Sequence, residues 1–360
     1  MIAFQPEMNP SGVLKVMRMK AAVYYGPEDV RIEEIETPRI EDDEVLVRVR
    51  ACGVCSTDVK TILRGHPMIK PPAVLGHEMA GDIISAGKNV PKHKVGDRVV
   101  VAPYVACGTC YYCLQGQYTL CSRLFEEKPI PGGFAESVKV PPRIVERGTL
   151  ELPRDVSYER AVFTEPLACC LHGIEGCRVK AGDVVAIVGD GPIGLMHLQL
   201  ARVMGADEVI VSGQSDHRLK VARKLGAAIA VNETVEDPVT MVIEETSGRG
   251  ADVVIVAVGS LTAADQGLRL ARRGGIVNLF GGFPSESEFR LDPNLIHYSG
   301  LTITGSFGFS HVDFAKALRL IGRGKVNVGE LITHRFSLDN IVTAVNTSAE
   351  RKGLKVLLTI

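Results

Sequence analysis

Four cysteines fall within fifteen residues: Cys107, Cys110, Cys113 and Cys121, spaced C-x2-C-x2-C-x7-C. Four thiolates in one short loop can close a tetrahedral zinc site that staples the loop and leaves no position open for substrate. An iron–sulfur cluster is the rival, because C-x2-C-x2-C also opens a ferredoxin-type run. The long gap before Cys121, and Ser122 where that run has proline, count against it. The spacing therefore predicts structural zinc.

Other potential ligands are scattered: Cys55 in GVCSTDVK, His77 and Glu78 in VLGHEMAG, and Glu165 in TEPLACC. Each lies near Gly or Pro, at a strand end or turn. Taken singly they have plain explanations, as a buried thiol, a turn histidine and a carboxylate at a helix start. Beside a nucleotide site they suggest an open zinc centre, with about three protein ligands and one position for substrate.

That nucleotide site is carried by VVAIVG, residues 184–189, followed by Gly189-Asp190-Gly191-Pro192-Ile193-Gly194. A helix-compatible run then reaches Gly205, and EVIVSG supplies a second β-branched segment. Strand, glycine turn, helix and strand within one unit give G-x-G-x-x-G its meaning. The first glycine turns the chain, the second admits a pyrophosphate, and the third lets helix and strand pack. The helix N-terminus offers N–H groups to the anion. An NAD-type unit places an acid about 20 residues on, against the ribose 2′-hydroxyl. Gly213 holds that position here, while Gln214, Ser215 and Arg218 could serve a 2′-phosphate. NADP is thus favoured; NAD remains the alternative if Asp216 takes the role.

These residues need two kinds of scaffold. At 360 residues the chain can build two cores. Before residue 158 the pattern is mainly β: a hairpin from KAAVYY and DVRIEEIETP, a strand over 44–55 ending in a Cys-rich turn, and short barrel-like strands over 80–103. From Tyr158 helices and strands alternate, which predicts a doubly wound parallel sheet. DFAKALRLIGRGKV is an amphipathic helix, and the closing strand GLKVLLTI could rejoin the first domain. Residues 1–18 look like a short extension, to which no function is given.

Composition narrows the function further. A net charge of −1 removes the bulk electrostatic case for nucleic acid or an anionic membrane. No apolar run approaches the roughly 20 residues that a membrane helix needs. The first residues make a poor signal peptide, so the cytoplasm is the expected compartment. There the clustered cysteines among the nine argue for metal, and Cys52, Cys169, Cys170 and Cys177 for reduced core residues.

G-V-C-S-T-D, G-H-E, the four-Cys lobe, T-E-P-L-A-C and G-D-G-P-I-G occur in one order. In this the chain resembles the zinc-containing medium-chain dehydrogenase/reductase family, and within it the sorbitol and threonine dehydrogenase-like branch. The resemblance runs from Met19 to the C-terminus. It implies an α/β protein: a GroES-like β-barrel catalytic domain (1–168 and 311–360, with the zinc lobe at 104–124) and a Rossmann coenzyme domain (169–310). It also implies two zinc ions per chain. Cys55, His77 and Glu165 match catalytic-zinc ligands, and Glu78 an acid that coordinates the metal or swings onto it. Thr57 matches the hydroxyl that takes the substrate's proton, and Asp58 a supporting acid. The implied reaction is hydride transfer between a secondary alcohol of polyol or sugar type and NADP or NAD. Zinc would act as a Lewis acid. An amino-alcohol substrate of the threonine type is the alternative, and a non-catalytic zinc- and nucleotide-binding redox sensor the reading from another class. A homo-oligomer, dimer or tetramer, is expected. Two departures stand out. Lys60 occupies the place of a relay histidine, and its ordinary pKa near 10.4 suits proton shuttling poorly. Gly213 replaces the acid expected for NAD.

Overall fold

The computed structural model describes residues 17–360. All but two residues of the expected 1–18 extension lie outside the described residues. The chain divides into two compact units, 1–165 with 310–322 and 331–360, and 166–309 with 323–330. The boundary falls at Glu165 and Pro166, slightly before the expected one, and 323–330 joins the second unit. Local bonds account for that return. Gln199 Oε1 accepts from the Asn327 backbone N–H at 2.6 Å, and Lys224 Nζ lies 2.7 Å from Glu330.

The first unit opens with the expected hairpin, β1 (Arg18–Gly26) paired antiparallel to β2 (Asp29–Glu36). Met19, Ala21 and Val23 alternate along β1 and bury one face against Ala135. The next strands are β3 (Val45–Gly53), β4 (Ala73–Val74), β5 (Glu78–Ala86), β6 (Arg98–Val101), β7 (Ser137–Val140) and β8 (Thr149–Glu151). β3 and β5 are antiparallel, with Gly53 opposite Glu78, so the end of one strand meets the start of the other. After β3 comes the helix Ser56–Arg64, where only a turn was expected. The element was hard to see because its N-cap is a cysteine rather than Ser, Thr, Asp or Asn. Cys55 Sγ accepts from the Thr57 N–H while Asp58 receives the N–H of Cys55, a capping box built from unusual parts.

The second unit holds β9 (Val184–Val188), β10 (Glu208–Gly213), β11 (Ile229–Asn232), β12 (Ala251–Val256), β13 (Ala271–Leu279) and β14 (Thr302–Gly305). They form one parallel sheet in the order β11-β10-β9-β12-β13-β14. This is the doubly wound order whose direction reverses beside the first strand, and ligands bind at that reversal. Every residue of β9 and β12 is buried, as expected of parallel strands covered on both faces.

The chain then returns to the first unit with β15 (Ile332–Ser337) and β16 (Lys355–Thr359). β16 pairs antiparallel with β3 and meets Ala51, Cys52 and Gly53. The closing strand thus rejoins the first unit as its sequence suggested. None of the nine cysteines is in a disulfide; Cys52, Cys170 and Cys177 are buried, while Cys169 is only partly so. Among the described residues no helix is long and apolar enough to cross a membrane.

Candidate functional site

Cys55 follows the end of β3, His77 immediately precedes β5 and Glu78 opens it. The Gly53–Glu78 register therefore brings both turns to one end of the sheet. Cys55, His77 and Glu78 each present a ligand atom within 4.8 Å of the others. Gly53 is required at this crossing, because a Cβ there would run into the Glu78 carboxylate.

Asp58 ties the turns together. It is 3% exposed. Its Oδ2 accepts the Cys55 N–H at 3.0 Å, and its Oδ1 accepts the Gly76 N–H and lies 3.3 Å from His77 Nδ1. One nitrogen of His77 is thereby engaged and the ring is oriented, the usual arrangement of a metal-ligating histidine. Burial would raise the Asp58 carboxyl, but the His77 charge and the donated hydrogen bonds hold it below the ordinary range. Burial would lower His77; the Asp58 and Cys55 charges outweigh that and raise it well above its ordinary value.

Glu78 is buried on β5 against a buried lysine from β16. Lys355 Nζ donates to Glu78 Oε1 at 2.6 Å. The same ammonium lies beside Oε2, so both carboxylate oxygens face Lys355. This carboxylate, with the Cys55 thiol and the His77 imidazole beside it, makes a donor set suited to a cation, with Lys355 as the competitor for Glu78. Glu165 is buried in the first turn of the helix Thr164–Gly176. Burial pushes its carboxyl up to about 7; Glu78 and Asp58 add to the rise, against the pull of His77 and Lys355.

The four-Cys lobe is compact. Cys107, Cys110, Cys113 and Cys121 bring their sulfurs within 4.8 Å of one another. Cys107 Sγ lies 3.9 Å and Cys110 Sγ 3.5 Å from Cys113 Sγ. A tetrahedron with Zn–S bonds of about 2.3 Å has edges of about 3.8 Å, so the thiols already stand at zinc spacing. Backbone N–H groups of Thr109 and Cys110 reach Cys107 Sγ at 3.4 Å, and those of Cys107 and Arg123 reach Cys121 Sγ at 3.3 Å. Such donors favour thiolate. The Thr109 N–H is the main cause that brings Cys107 down to about 5, and the Cys113 N–H brings Cys110 to about 7. Burial sends Cys113 up to about 12.

The glycine turn has the form its sequence implied. Gly189 lies at φ +122°, where only glycine is comfortable, and a Cβ on Gly194 would strike the Gly189 carbonyl. Gly191 is the N-cap of the helix Pro192–Val203, with no side-chain cap and open space where a Cβ would stand. Those free N–H groups and that space suit a pyrophosphate. Pro192 takes the first helical position, where no N–H is needed.

At the end of β10 the structure adds a residue that the sequence reading passed over. Asp190 Oδ2 accepts the N–H groups of Gln214 at 3.1 Å and Ser215 at 2.9 Å, and Oδ1 lies 3.6 Å from Arg218 Nη1. A Cβ on Gly213 would come within 2.5 Å of Asp190 Oδ2. The carboxylate missing from position 213 therefore reaches the same place from the glycine turn. Asp216, the alternative acid, accepts from Asn232 Nδ2 at 2.7 Å.

Comparison with known proteins matches two family models to the chain. Residues 41–149 match the family "Alcohol dehydrogenase GroES-like domain", and residues 192–323 match "Zinc-binding dehydrogenase". Sorbitol dehydrogenase of Bacillus subtilis (strain 168) is 33% identical over 347 residues, 94% of this chain and 97% of that one. The chain belongs to the zinc-containing medium-chain alcohol dehydrogenases. It is an NAD(P)-dependent alcohol oxidoreductase of the polyol and threonine branch. L-threonine 3-dehydrogenase of Pyrococcus furiosus is 34% identical over 88% of this chain and 90% of its own. A structure described as a zinc-binding dehydrogenase from Sinorhizobium meliloti 1021 bound to NADP superposes with TM-score 0.88 and 33% identity, covering 96% of this chain and all of that one.

Within this zinc dehydrogenase, Cys55, His77 and Glu78 converge, and Glu165 interacts electrostatically with His77 and Glu78. Thr57 is exposed on the first turn after Cys55, and Lys60 is exposed on the next. Lys355 was missed, although a lysine inside KVLLT, an otherwise apolar strand, was a visible signal. Asp190 was missed because its spelling inside a glycine motif says nothing of the strand end it reaches.

Proposed function

We propose that the chain oxidises a secondary alcohol of the polyol class, and reduces the matching ketone, with NADP as its favoured coenzyme and two zinc ions per chain. The observation that carries this is the convergence of Cys55, His77 and Glu78 within 4.8 Å beside a buried Glu165. Cys55 and His77 would hold the catalytic zinc together with Glu78, which stands in the same cluster, or with Glu165 where Lys355 keeps Glu78 from the metal. Cys107, Cys110, Cys113 and Cys121 would hold the structural one. When bound, the catalytic metal supplies Lewis-acid polarisation of the alcohol oxygen, and the nicotinamide the redox chemistry.

The residues do the rest. Asp58 fixes Cys55 and His77 in one geometry. Thr57 accepts the substrate's hydroxyl proton, and because it is exposed it can pass that proton to water without a histidine at position 60. Gly189, Gly191, Pro192, Ile193 and Gly194 cradle the pyrophosphate. Past Gly213, Arg218 favours NADP while Asp190, which engages it and the N–H groups of Gln214 and Ser215, favours NAD; the NADP-bound structural relative supports NADP. The names of the polyol-oxidising relatives support the substrate class, and the threonine-oxidising relatives keep the amino alcohol as a second reading. A homo-oligomer is also proposed, paired through β14 at the edge of its sheet.

The test is coenzyme reduction by purified protein against polyols, simple secondary alcohols and threonine, with NADP and with NAD, before and after metal stripping. Metal-dependent turnover of a polyol is expected. Turnover that survives complete zinc removal would overturn the zinc assignment, and turnover confined to threonine would overturn the substrate class.

A further inference from the structure

The end of β10 holds three groups of the kind that bind phosphate: the adjacent backbone N–H groups of Gln214 and Ser215, and the guanidinium of Arg218. Two consecutive N–H groups at a turn make an anion-binding concavity, and an arginine beside them adds charge and directed donors. In this chain an internal anion already meets all three. Asp190 Oδ2 accepts both N–H groups, at 3.1 and 2.9 Å, and Oδ1 lies 3.6 Å from Arg218. Asp190 is 8% exposed, so this carboxylate is held in place rather than swinging in solvent. The space a side chain at position 213 would need is filled by Asp190 itself.

We infer that Asp190, and not position 213, sets the discrimination between a 2′-hydroxyl and a 2′-phosphate on the coenzyme. The inference rests on the dinucleotide reading of the glycine turn. The ribose that carries the 2′ group sits at the end of the second strand in such units. A 2′-hydroxyl there can donate to Asp190 without disturbing its partners. A 2′-phosphate must take the N–H groups and Arg218 from Asp190 and then tolerate the displaced carboxylate. Arg218 favours the phosphate and Asp190 opposes it, so selectivity is the balance of an attractive and a repulsive element within one ion pair.

The test uses the full-length protein and equilibrium binding by calorimetry, with 2′-AMP, 5′-AMP, NADP and NAD as probes. Asp190→Asn keeps the shape and removes the charge. It should tighten 2′-AMP and NADP relative to 5′-AMP and NAD by about tenfold or more, and steepen the salt dependence of NADP binding. Asp190→Ser, which keeps an oxygen for the N–H groups, serves if the asparagine variant does not fold. Arg218→Ala should weaken 2′-AMP and NADP by a similar factor and leave 5′-AMP and NAD within about twofold. An NADP-to-NAD affinity ratio unchanged within twofold in the Asp190 variants, or moved toward NAD, would overturn the inference while the dinucleotide site stands. Failure of the wild-type protein to bind either dinucleotide would overturn the dinucleotide reading and this inference with it.

Discussion

The ammonium of Lys355 lies 2.6 Å from Glu78 Oε1, joining two buried charges that stand 277 positions apart in the chain. Glu78 is 1% and Lys355 6% exposed. Removing one member of such a pair strands the other without water. Lys355→Met should lower the unfolding free energy by about 3–5 kcal/mol. Denaturant titration measures it, and the double variant with Glu78→Gln should recover part of the loss. A single variant as stable as wild type would contradict this account of the pair.

Glu165 gives the metal-stripped chain a pH signature. Its carboxyl stands near 7 in the folded chain against an ordinary 4.5, chiefly through burial, so between those values the folded state binds the extra proton. Stability from this group is therefore present at low pH and lost as pH rises through 7. Glu165→Gln should remove a decline of about 3 kcal/mol between pH 4.5 and 8. Unfolding curves taken with a chelator present, wild type against variant, measure it. Parallel curves would show that Glu165 is not so held.

His197 carries the opposite signature in the second unit. It is fully buried, neither ring nitrogen has a hydrogen-bond partner among the described residues, and Phe280 meets it edge-on at 4.6 Å. Burial drives its pKa from 6.5 down to about 3. A depressed histidine contributes fully above its unfolded value and loses that contribution as pH falls below it. At pH 5 the wild type should lose about 2 kcal/mol that His197→Met keeps, while the two differ little in pH dependence above 7. Thermal midpoints across pH 4.5–8 decide the matter.

The lobe cysteines should separate by reactivity in the metal-free protein. Cys110 is partly exposed and stands near 7, whereas Cys113 is buried and pushed up to about 12. A short alkylation pulse at pH 7.5, read by peptide mass spectrometry, should modify Cys110 well before Cys113. With zinc bound, both should be protected. Equal rates in the stripped protein would contradict the arrangement of donors around the two sulfurs.

Much of this site was legible because its chemistry is local in sequence. The four-Cys spacing and the glycine turn each complete themselves within a few turns of chain, and β11 coincides with the run IAVN. What escaped was non-local or dressed unusually. The helix Ser56–Arg64 hid behind a cysteine cap. Lys355 has no periodic signal, since its reason for being buried is Glu78, brought to it only through β16 and β3. Asp190 is spelled out in the motif, but its partners follow from β10 lying beside β9. Gly213 was read as the loss of a carboxylate; the fold shows it making room for one.

Because β16 is translated only after the whole second unit, a nascent chain carries Cys55, His77 and Glu78 long before it carries Lys355. Until β16 pairs with β3, Glu78 has no ammonium to hold it. The buried ion pair that neutralises Glu78 is thus completed only by the last strand of the chain, so the first unit cannot finish this part of its core until its C-terminal segment has been made.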